Sequence, residues 1–255
     1  RVLFQSILGP GSLATAQRIQ QRYPQARIHG LAGRVQGADA YYTAFGDTLR
    51  SLYEDGTPLI TLCAAGIVIR SLAGVLGDKD DEPPVLAVAE DGSAVVPLLG
   101  GLAGVNRMAR EIAEQLGTTP AITTSGELRF GTCLLNPPAG YALADLEQGK
   151  RFVSDLLAGE PVRIAGEAPW LMQAQLPASD AATRTLHVGC EAPPPSRHAP
   201  LLHPRPAVAG LAGGPLATLP DALPPPGRAP PSPACVLADR QATAATPVPH
   251  PAPAP

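Results

Sequence analysis

Short apolar runs alternate with segments of helical period along the first half of the chain. From Val2 to about Thr124 this alternation is the pattern of βα units. The run Pro58–Ala65 is apolar on both faces, as a buried parallel strand is, and Asp91-Gly92 between two apolar runs is typical of a tight hairpin turn. The predicted strands are Val2–Ser6, Ala26–Leu31, Asp39–Ala44, Pro58–Ala65, Val85–Ala89, Ala94–Leu99 and Ala121–Thr124. The predicted helices are Ser12–Tyr23 with Ser12 as its cap, Phe45–Glu54, Gly66–Ala73 and Val105–Leu116. The predicted fold class is therefore α/β, an open and mostly parallel sheet with flanking helices.

A smaller α/β middle segment follows. A helix is predicted near Asp145–Ala158, with strands at Val162–Ile164 and Thr185–Val188. Its hydrophobic content is modest, so we expect it to pack on the first domain rather than fold alone. The predicted domain bounds are 1–131, 132–190 and 191–255.

Prolines separate the third region from the other two. The chain has 31 prolines, of which 12 fall in residues 1–190 and 19 in residues 191–255. Proline removes a backbone donor and restricts the residue before it, which discourages both helix and sheet. We therefore expect a disordered Pro/Ala-rich tail over residues 191–255.

Composition and charge exclude several classes of function. The net charge is −3 and no basic stripe follows the chain, so nucleic acid is not an expected partner. No apolar stretch approaches the roughly 20 residues that span a bilayer, so we expect no membrane segment and a cytoplasmic location. The four cysteines lie far apart, as free thiols do in a reducing compartment, and no metal site is expected.

Three stretches have the same sequence pattern, an apolar strand that ends in small residues and is followed by a glycine. They are Leu62–Ile67, Leu98–Asn106 and Ile122–Gly126. In an open α/β sheet the carboxyl ends of the strands line a crevice where ligands bind. Glycine lets backbone N–H groups approach a ligand, and a helix N-terminus favours negative charge. The stretches thus indicate a pocket for an anionic or carboxylated molecule, although small residues also simply permit tight turns. No dinucleotide or P-loop fingerprint occurs, so no ATP, NAD or other cofactor is expected.

Candidate substrate-binding residues come from these stretches. They are Gly66, Gly100, Gly101, Gly104, Asn106, Thr123 and Thr124. Asn106 either caps a helix or points its amide at a ligand. Thr123, Thr124 and Ser125 either present hydroxyls to carboxylates or form an ordinary loop.

Candidate catalytic residues are few. Glu127, beside the threonine cluster, is the best-placed carboxylate for activating a water molecule. Cys63 is interpreted as a buried structural thiol inside a strand. Arg70 and Arg129 either neutralise substrate carboxylates or lie on solvated surfaces, and the charged run Asp78–Glu82 is interpreted as an exposed loop.

Taken together, the motifs resemble a known family. The order and spacing of Leu62–Arg70, Asp78-Lys79, Pro84–Gly92, Val95–Gly101, Asn106 with Ala109–Ala113, and Ala121–Thr124 are similar to the N-terminal domain of the cobalamin-biosynthesis family CbiG. The resemblance is close over Thr57–Gly131. Val2–Asp55 and Cys133–Val188 resemble the leading segment and middle domain of the family. Gly-Gly-Leu-Ala-Gly-Val-Asn, with Gly126–Gly131, is most similar to the form fused to precorrin-3B C17-methyltransferase.

The resemblance implies a role in corrin-ring synthesis. In stand-alone members this role is hydrolysis of the δ-lactone of cobalt-precorrin-5A with release of acetaldehyde. It implies a tetrapyrrole (precorrin) substrate ringed by carboxylates, and other corrin-pathway enzymes as partners. The alternative is a non-catalytic tetrapyrrole-binding fragment of a bifunctional protein.

This chain departs from the family pattern at two places. Leu102 stands where many members carry a histidine. The C-terminal domain of the family should begin near Ala207–Gly213, but neither it nor a methyltransferase domain follows. We therefore expect a truncated member, and we interpret the tail beyond about Gly213 as the product of a shifted reading frame.

Overall fold

The computed structural model describes residues 3–189 and 201–204. Contacts within the chain divide it into two compact units, the first ending at Thr124 and the second beginning at Ser125. The predicted domain bounds of 1–131, 132–190 and 191–255 stay predictions.

The first unit is a six-stranded sheet with helices on both faces. Its strands are β1 (Phe4–Ile7), β2 (Arg27–Leu31), β3 (Ala40–Tyr42), β4 (Leu59–Leu62), β5 (Val85–Val88) and β6 (Val95–Leu99). Its helices are α1 (Leu13–Arg22), α2 (Phe45–Glu54), α3 (Ala65–Leu72) and α4 (Val105–Leu116). The predicted α/β class is confirmed.

The strand order in this sheet is β3-β2-β1-β4-β5-β6. Strands β1 to β5 are parallel, with Phe4 opposite both Arg27 and Leu59. The predicted hairpin between β5 and β6 is confirmed, and it makes β6 antiparallel, so that Leu99 lies opposite Val85. Gly92 in its turn has a φ of 77°, a conformation that favours glycine.

Two hydrophobic cores lie on opposite faces of this sheet. One contains Ile7, Ile28 and Ile60 under helices α1 and α4. The other contains Phe4 and Leu59 under helices α2 and α3. Burial on both faces explains why three of the four residues of β4 are apolar, and the fourth, Thr61, donates its hydroxyl proton to the Leu86 carbonyl at 2.8 Å.

Two local predictions for the first unit are wrong. Ser12 makes no side-chain hydrogen bond as the cap of α1, because a 3-10 turn at Pro10–Ser12 runs directly into the helix. Ala121–Thr124 is not a strand. Only a single bridge joins Pro120 to Val95, and Ala121 donates a backbone hydrogen bond to the Val95 carbonyl.

The second unit contains the four-stranded sheet β7-β10-β9-β8. Its elements are α5 (Ser125–Phe130), β7 (Tyr141–Leu143), α6 (Leu146–Leu157), β8 (Val162–Ala165), α7 (Pro169–Met172), β9 (Arg184–Val188) and β10 (Leu201–Pro204). The Asp145 carboxylate caps α6 by accepting a hydrogen bond from the Gln148 N–H at 2.8 Å. Phe152, Leu186 and Leu202 are buried in a core of this unit's own, which its modest hydrophobic content did not lead us to expect.

The expectation of disorder from residue 191 onward is wrong at Leu201–Pro204. These residues form β10, which pairs with β7 on one side and β9 on the other. Two long-range partners satisfy its backbone despite the local proline content. The rest of the predicted tail lies outside the described residues.

Candidate functional site

The topology of the first unit singles out one crevice. We call the side where β1 to β5 end the carboxyl edge and the side where they begin the amino edge. The chain moves outward from β1 through β2 to β3 and then crosses to β4 on the other side of β1. This reversal opens a crevice at the carboxyl edge between β1 and β4, the position where open α/β sheets bind ligands.

Helix α3 begins at this crevice, directly after β4. Ala64 precedes the helix with extended backbone, φ −60° and ψ 131°, and supplies no side-chain cap. The first N–H groups of a helix have no partner within the helix, so those of Ala65 and Gly66 are directed toward the carboxyl edge. The Arg70 guanidinium folds back over this turn and donates to the Gly66 carbonyl at 3.2 Å. The turn therefore carries positive electrostatic character suited to a carboxylate.

The expectation that the three glycine turns converge at one edge is wrong. Gly66 lies at the carboxyl edge, but β6 runs antiparallel and ends at the amino edge. Gly100, Gly101 and Gly104 follow β6 there. The segment from Pro120 to Thr124 runs beside β6 in the same direction, which brings Thr123 and Thr124 toward the amino edge as well.

Backbone geometry accounts for two of the amino-edge glycines. Gly100 has a φ of 82°, and a Cβ there would lie 2.5 Å from the Pro83 carbonyl oxygen. Gly104 caps α4 with a φ of 96°. Gly101 is different because it is exposed and a Cβ there would meet nothing within 4 Å. Close packing therefore explains Gly100 and left-handed backbone explains Gly104, but neither explains Gly101.

The amide of Asn106 joins α4 to the segment that follows it. The residue is buried, 4% exposed, and its Nδ2 donates to Thr124 Oγ1 at 2.9 Å. The cap position of α4 is held by Gly104, so Asn106 is not the cap of this helix. Thr123 is exposed beside Thr124.

Glu127 lies in the second unit, in the first turn of α5, and is 5% exposed. Thr124-Ser-Gly-Glu127 has the spacing of a capping box, in which the glutamate stabilises the start of the helix. Arg129 on the same helix donates to the Leu157 carbonyl. Structural roles are thus available for both residues.

Cys63 lies one residue beyond the end of β4 and is half-buried rather than inside the strand. Burial raises the pKa of its thiol above the usual value, which keeps it protonated near neutral pH. Neither Cys63 nor Cys133 forms a disulfide among the described residues. Cys190 and Cys235 lie outside them.

Sequence reasoning missed two hydroxyls at the carboxyl edge, those of Ser6 and Tyr42. Ser6 Oγ lies 2.9 Å from the Tyr42 hydroxyl, which also donates to the Ile7 carbonyl at 2.9 Å. Both residues come at the ends of apolar strands, and that position was the available signal.

Residues 3–189 and 201–204 contain no group of three histidine, cysteine or acidic side chains that could hold a metal ion. In the same residues no helix is long and apolar enough to cross a membrane.

Parts of this chain are similar to known proteins. Residues 47–127 match the family described as Cobalamin synthesis G N-terminal, a range that includes both edges of the sheet and Glu127. A cobalt-precorrin-5A hydrolase of Salmonella typhimurium is 34% identical over 153 residues, which cover 59% of this chain and 44% of the relative. The cobalt-precorrin-5A hydrolase of Priestia megaterium is 35% identical over 82 residues, 32% of this chain and 22% of the relative. Residues 47–127 thus belong to the N-terminal domain of the CbiG family.

A solved structure of a Sulfolobus solfataricus protein described as a homolog of cobalamin biosynthesis protein G is 16% identical, with a TM-score of 0.41. The match covers 80% of this chain and 60% of the Sulfolobus protein. This chain spans less than half the length of the two curated hydrolases that it matches.

Proposed function

We propose that this chain acts in cobalamin biosynthesis by opening the δ-lactone of a precorrin-type tetrapyrrole, with cobalt-precorrin-5A as substrate and acetaldehyde as a product. The observation that carries the proposal is the match of residues 47–127 to the CbiG N-terminal family, together with two relatives named cobalt-precorrin-5A hydrolase. A cytoplasmic location and contacts with other corrin-pathway enzymes belong to the same proposal.

Lactone hydrolysis places three demands on a protein. It must hold the carboxylates around the macrocycle, stabilise negative charge on the lactone carbonyl oxygen and direct a water molecule at its carbon. The first turn of α3 meets the first demand, because Gly66 and Ala65 direct N–H groups toward the carboxyl edge. Arg70 adds a guanidinium at the same turn. We therefore assign carboxylate binding to this turn.

The proposed binding residues divide between two edges of the sheet. A strand of four residues is about 13 Å long, so a ligand at Gly66 does not reach Gly100, Gly101, Gly104, Asn106, Thr123 or Thr124 without passing around the sheet. We favour the carboxyl edge because Gly100, Gly104 and Asn106 have structural explanations. Binding at the amino-edge residues is the competing proposal.

Glu127 is the proposed general base. Its carboxylate would accept a proton from the water molecule that attacks the lactone carbonyl carbon.

The direct experiment follows acetaldehyde release when the purified chain is incubated with cobalt-precorrin-5A. Release at a rate above the spontaneous reaction supports the proposal. A full-length curated hydrolase run in parallel shows that the substrate is competent. Binding of cobalt-precorrin-5A without release would instead favour a non-catalytic tetrapyrrole-binding role. Absence of both binding and release contradicts both functions.

The substitution Ala64→Asp tests whether the substrate binds at the carboxyl edge or at the amino edge of the sheet. Ala64 is exposed, with the extended backbone of a helix cap, so aspartate there should stabilise the fold by about 1 kcal/mol. Its carboxylate would also occupy the N–H groups proposed to bind substrate. We expect Kd for cobalt-precorrin-5A to rise at least tenfold while Tm rises, a combination that misfolding cannot produce.

Ala64→Ser is the matched control for this variant. Serine also caps the helix but brings no negative charge, so its affinity should fall less than that of Ala64→Asp. Unchanged affinity in Ala64→Asp, with weakened binding in Gly101→Asp at the exposed amino-edge turn, would move the site to the amino edge.

A further inference from the structure

A buried chain of hydroxyl groups lies beneath the crevice between β1 and β4. Tyr42 is 8% exposed and Ser6 is 1% exposed. The Tyr42 hydroxyl donates to the Ile7 carbonyl oxygen at 2.9 Å and lies 2.9 Å from Ser6 Oγ. A phenol has one proton to donate, so Ser6 must donate to Tyr42. The direction of the chain is therefore Ser6 to Tyr42 to Ile7.

This hydrogen bond links strands that are not neighbours. Tyr42 ends β3, Ile7 ends β1, and β2 lies between them. The pairing of adjacent strands cannot supply such a link. The Tyr42 side chain thus fixes the end of β1 from two strands away.

The end of β1 is where the chain turns into one wall of the crevice. Ile7 is followed by Leu8, Gly9 and the 3-10 turn Pro10–Ser12, and α3 begins on the β4 side. Gly9 is flanked by open space, since a Cβ there would meet nothing within 4 Å. A ligand at the crevice would therefore meet the backbone at Gly9 directly.

We propose that Tyr42 is a positioning residue for substrate binding: by holding the Ile7 carbonyl, it sets the turn at residues 8–12 against the crevice. This inference rests on the proposed function and on binding at the carboxyl edge. It adds a residue to which neither the sequence motifs nor the family match assigns a role, since the match begins at residue 47.

The ring and the hydroxyl of Tyr42 make different contacts. The ring packs against Phe4 and Phe45, with centroids 6.4 Å and 6.2 Å apart, and phenylalanine would keep these contacts. Burial raises the pKa of Tyr42, with Cys63 adding to the rise, so the phenol stays protonated and remains a donor. Only the hydroxyl is needed to hold Ile7.

The test compares Tyr42→Phe with Ser6→Ala. Both variants lose the bond between Ser6 and Tyr42, and Tyr42→Phe also loses the bond to Ile7, so both should be destabilised, Tyr42→Phe by more. Only Tyr42→Phe releases the Ile7 carbonyl. For Tyr42→Phe we expect KM for cobalt-precorrin-5A to rise about tenfold with kcat within threefold of wild type, the signature of lost binding rather than lost chemistry. Ser6→Ala and Tyr41→Phe, the latter at an exposed neighbouring tyrosine, should keep KM within twofold.

Amide hydrogen exchange gives a readout that does not depend on the substrate. Exchange at Leu8, Gly9, Gly11 and Ser12 should accelerate several-fold in Tyr42→Phe but not in Ser6→Ala. Unchanged exchange in Tyr42→Phe overturns the inference whether or not the substrate binds. Accelerated exchange with unchanged KM also overturns it while leaving the proposed function intact. A wild-type chain that neither binds nor turns over cobalt-precorrin-5A removes the proposed function, and the inference fails with it.

Discussion

Gly100 and Pro83 approach so closely that no side chain fits between them. A Cβ on Gly100 would lie 2.5 Å from the Pro83 carbonyl oxygen, and the φ of Gly100 is 82°. Gly100→Ala should therefore lower the free energy of unfolding by about 2 kcal/mol or more, from left-handed backbone and the clash together. Denaturant unfolding measures this loss.

Gly101→Ala is the matched control for that substitution. Gly101 is exposed, with open space at its Cβ position, so alanine there should change the free energy of unfolding by less than about 0.5 kcal/mol. Equal losses in the two variants would show that the contact with Pro83 is not what requires glycine at position 100.

The Asn106 to Thr124 hydrogen bond should have a measurable coupling energy. Asn106 Nδ2 donates to Thr124 Oγ1 at 2.9 Å from a buried position. A double-mutant cycle with Asn106→Ala and Thr124→Ala should give a coupling of about 1 kcal/mol in stability. A coupling energy of zero would show that Asn106 acts through other partners and that this hydrogen bond does not hold α4 to the segment after it.

Glu127→Gln separates a catalytic role from a structural one. Glutamine at the third position of a capping box still bonds back to the helix start, so Tm should stay close to that of wild type. It cannot accept a proton, so acetaldehyde release should fall by about 100-fold or more. Glu147→Gln, at an acidic residue in the first turn of α6, is the control with unchanged activity. A fully active Glu127→Gln would remove the residue as the general base.

His29 should make stability fall on the acidic side of neutrality. Burial lowers the pKa of this half-buried imidazole below 6.5, and its ring lies 4.2 Å from that of Phe4. The unfolded chain therefore binds a proton at higher pH than the folded chain does, and the folded state loses stability as pH falls through the unfolded value.

Thermal unfolding measured at a series of pH values tests this expected loss of stability at acidic pH. Tm should be nearly constant above about pH 7.5 and should decline below about pH 6.5, less steeply in His29→Gln than in wild type. Asp39, whose pKa the backbone N–H of Ile28 lowers, contributes only at more acidic pH, below about 4. Parallel Tm curves for wild type and His29→Gln would contradict the role of His29.

The local elements of the first unit follow from periodicity, but their spatial arrangement required one further step. The hairpin at Asp91-Gly92 was predictable, and a hairpin reverses the chain. Gly100 must therefore lie where β4 and β5 begin, opposite Gly66. Because of that reversal, the glycines that follow the different apolar strands cannot all line one crevice.

Other features depend on contacts that a local pattern does not show. Ala121–Thr124 has strand composition, but after the Ala121 N–H bonds to the Val95 carbonyl the next donor in a parallel ladder would be residue 97 of β6. That residue is Pro97, which has no N–H, so pairing stops. Leu202 lies in proline-rich sequence and is nevertheless fully buried, because β7 and β9 flank it. The hydroxyl of Tyr42 reaches Ile7 across an intervening strand, which neither periodicity nor spacing reveals.

The position of β10 has a consequence for dividing the protein into parts. Among the strands of the described residues it comes last in the sequence, yet it occupies an interior place in its sheet, bonded to β7 and β9. A polypeptide ending before Leu201 would lack this interior strand rather than an edge strand. The sheet would then separate into β7 alone and the pair β9-β8, each with an unpaired edge that could bind other molecules. Any independently prepared form of the second unit must therefore run through Pro204 to be a closed folding unit.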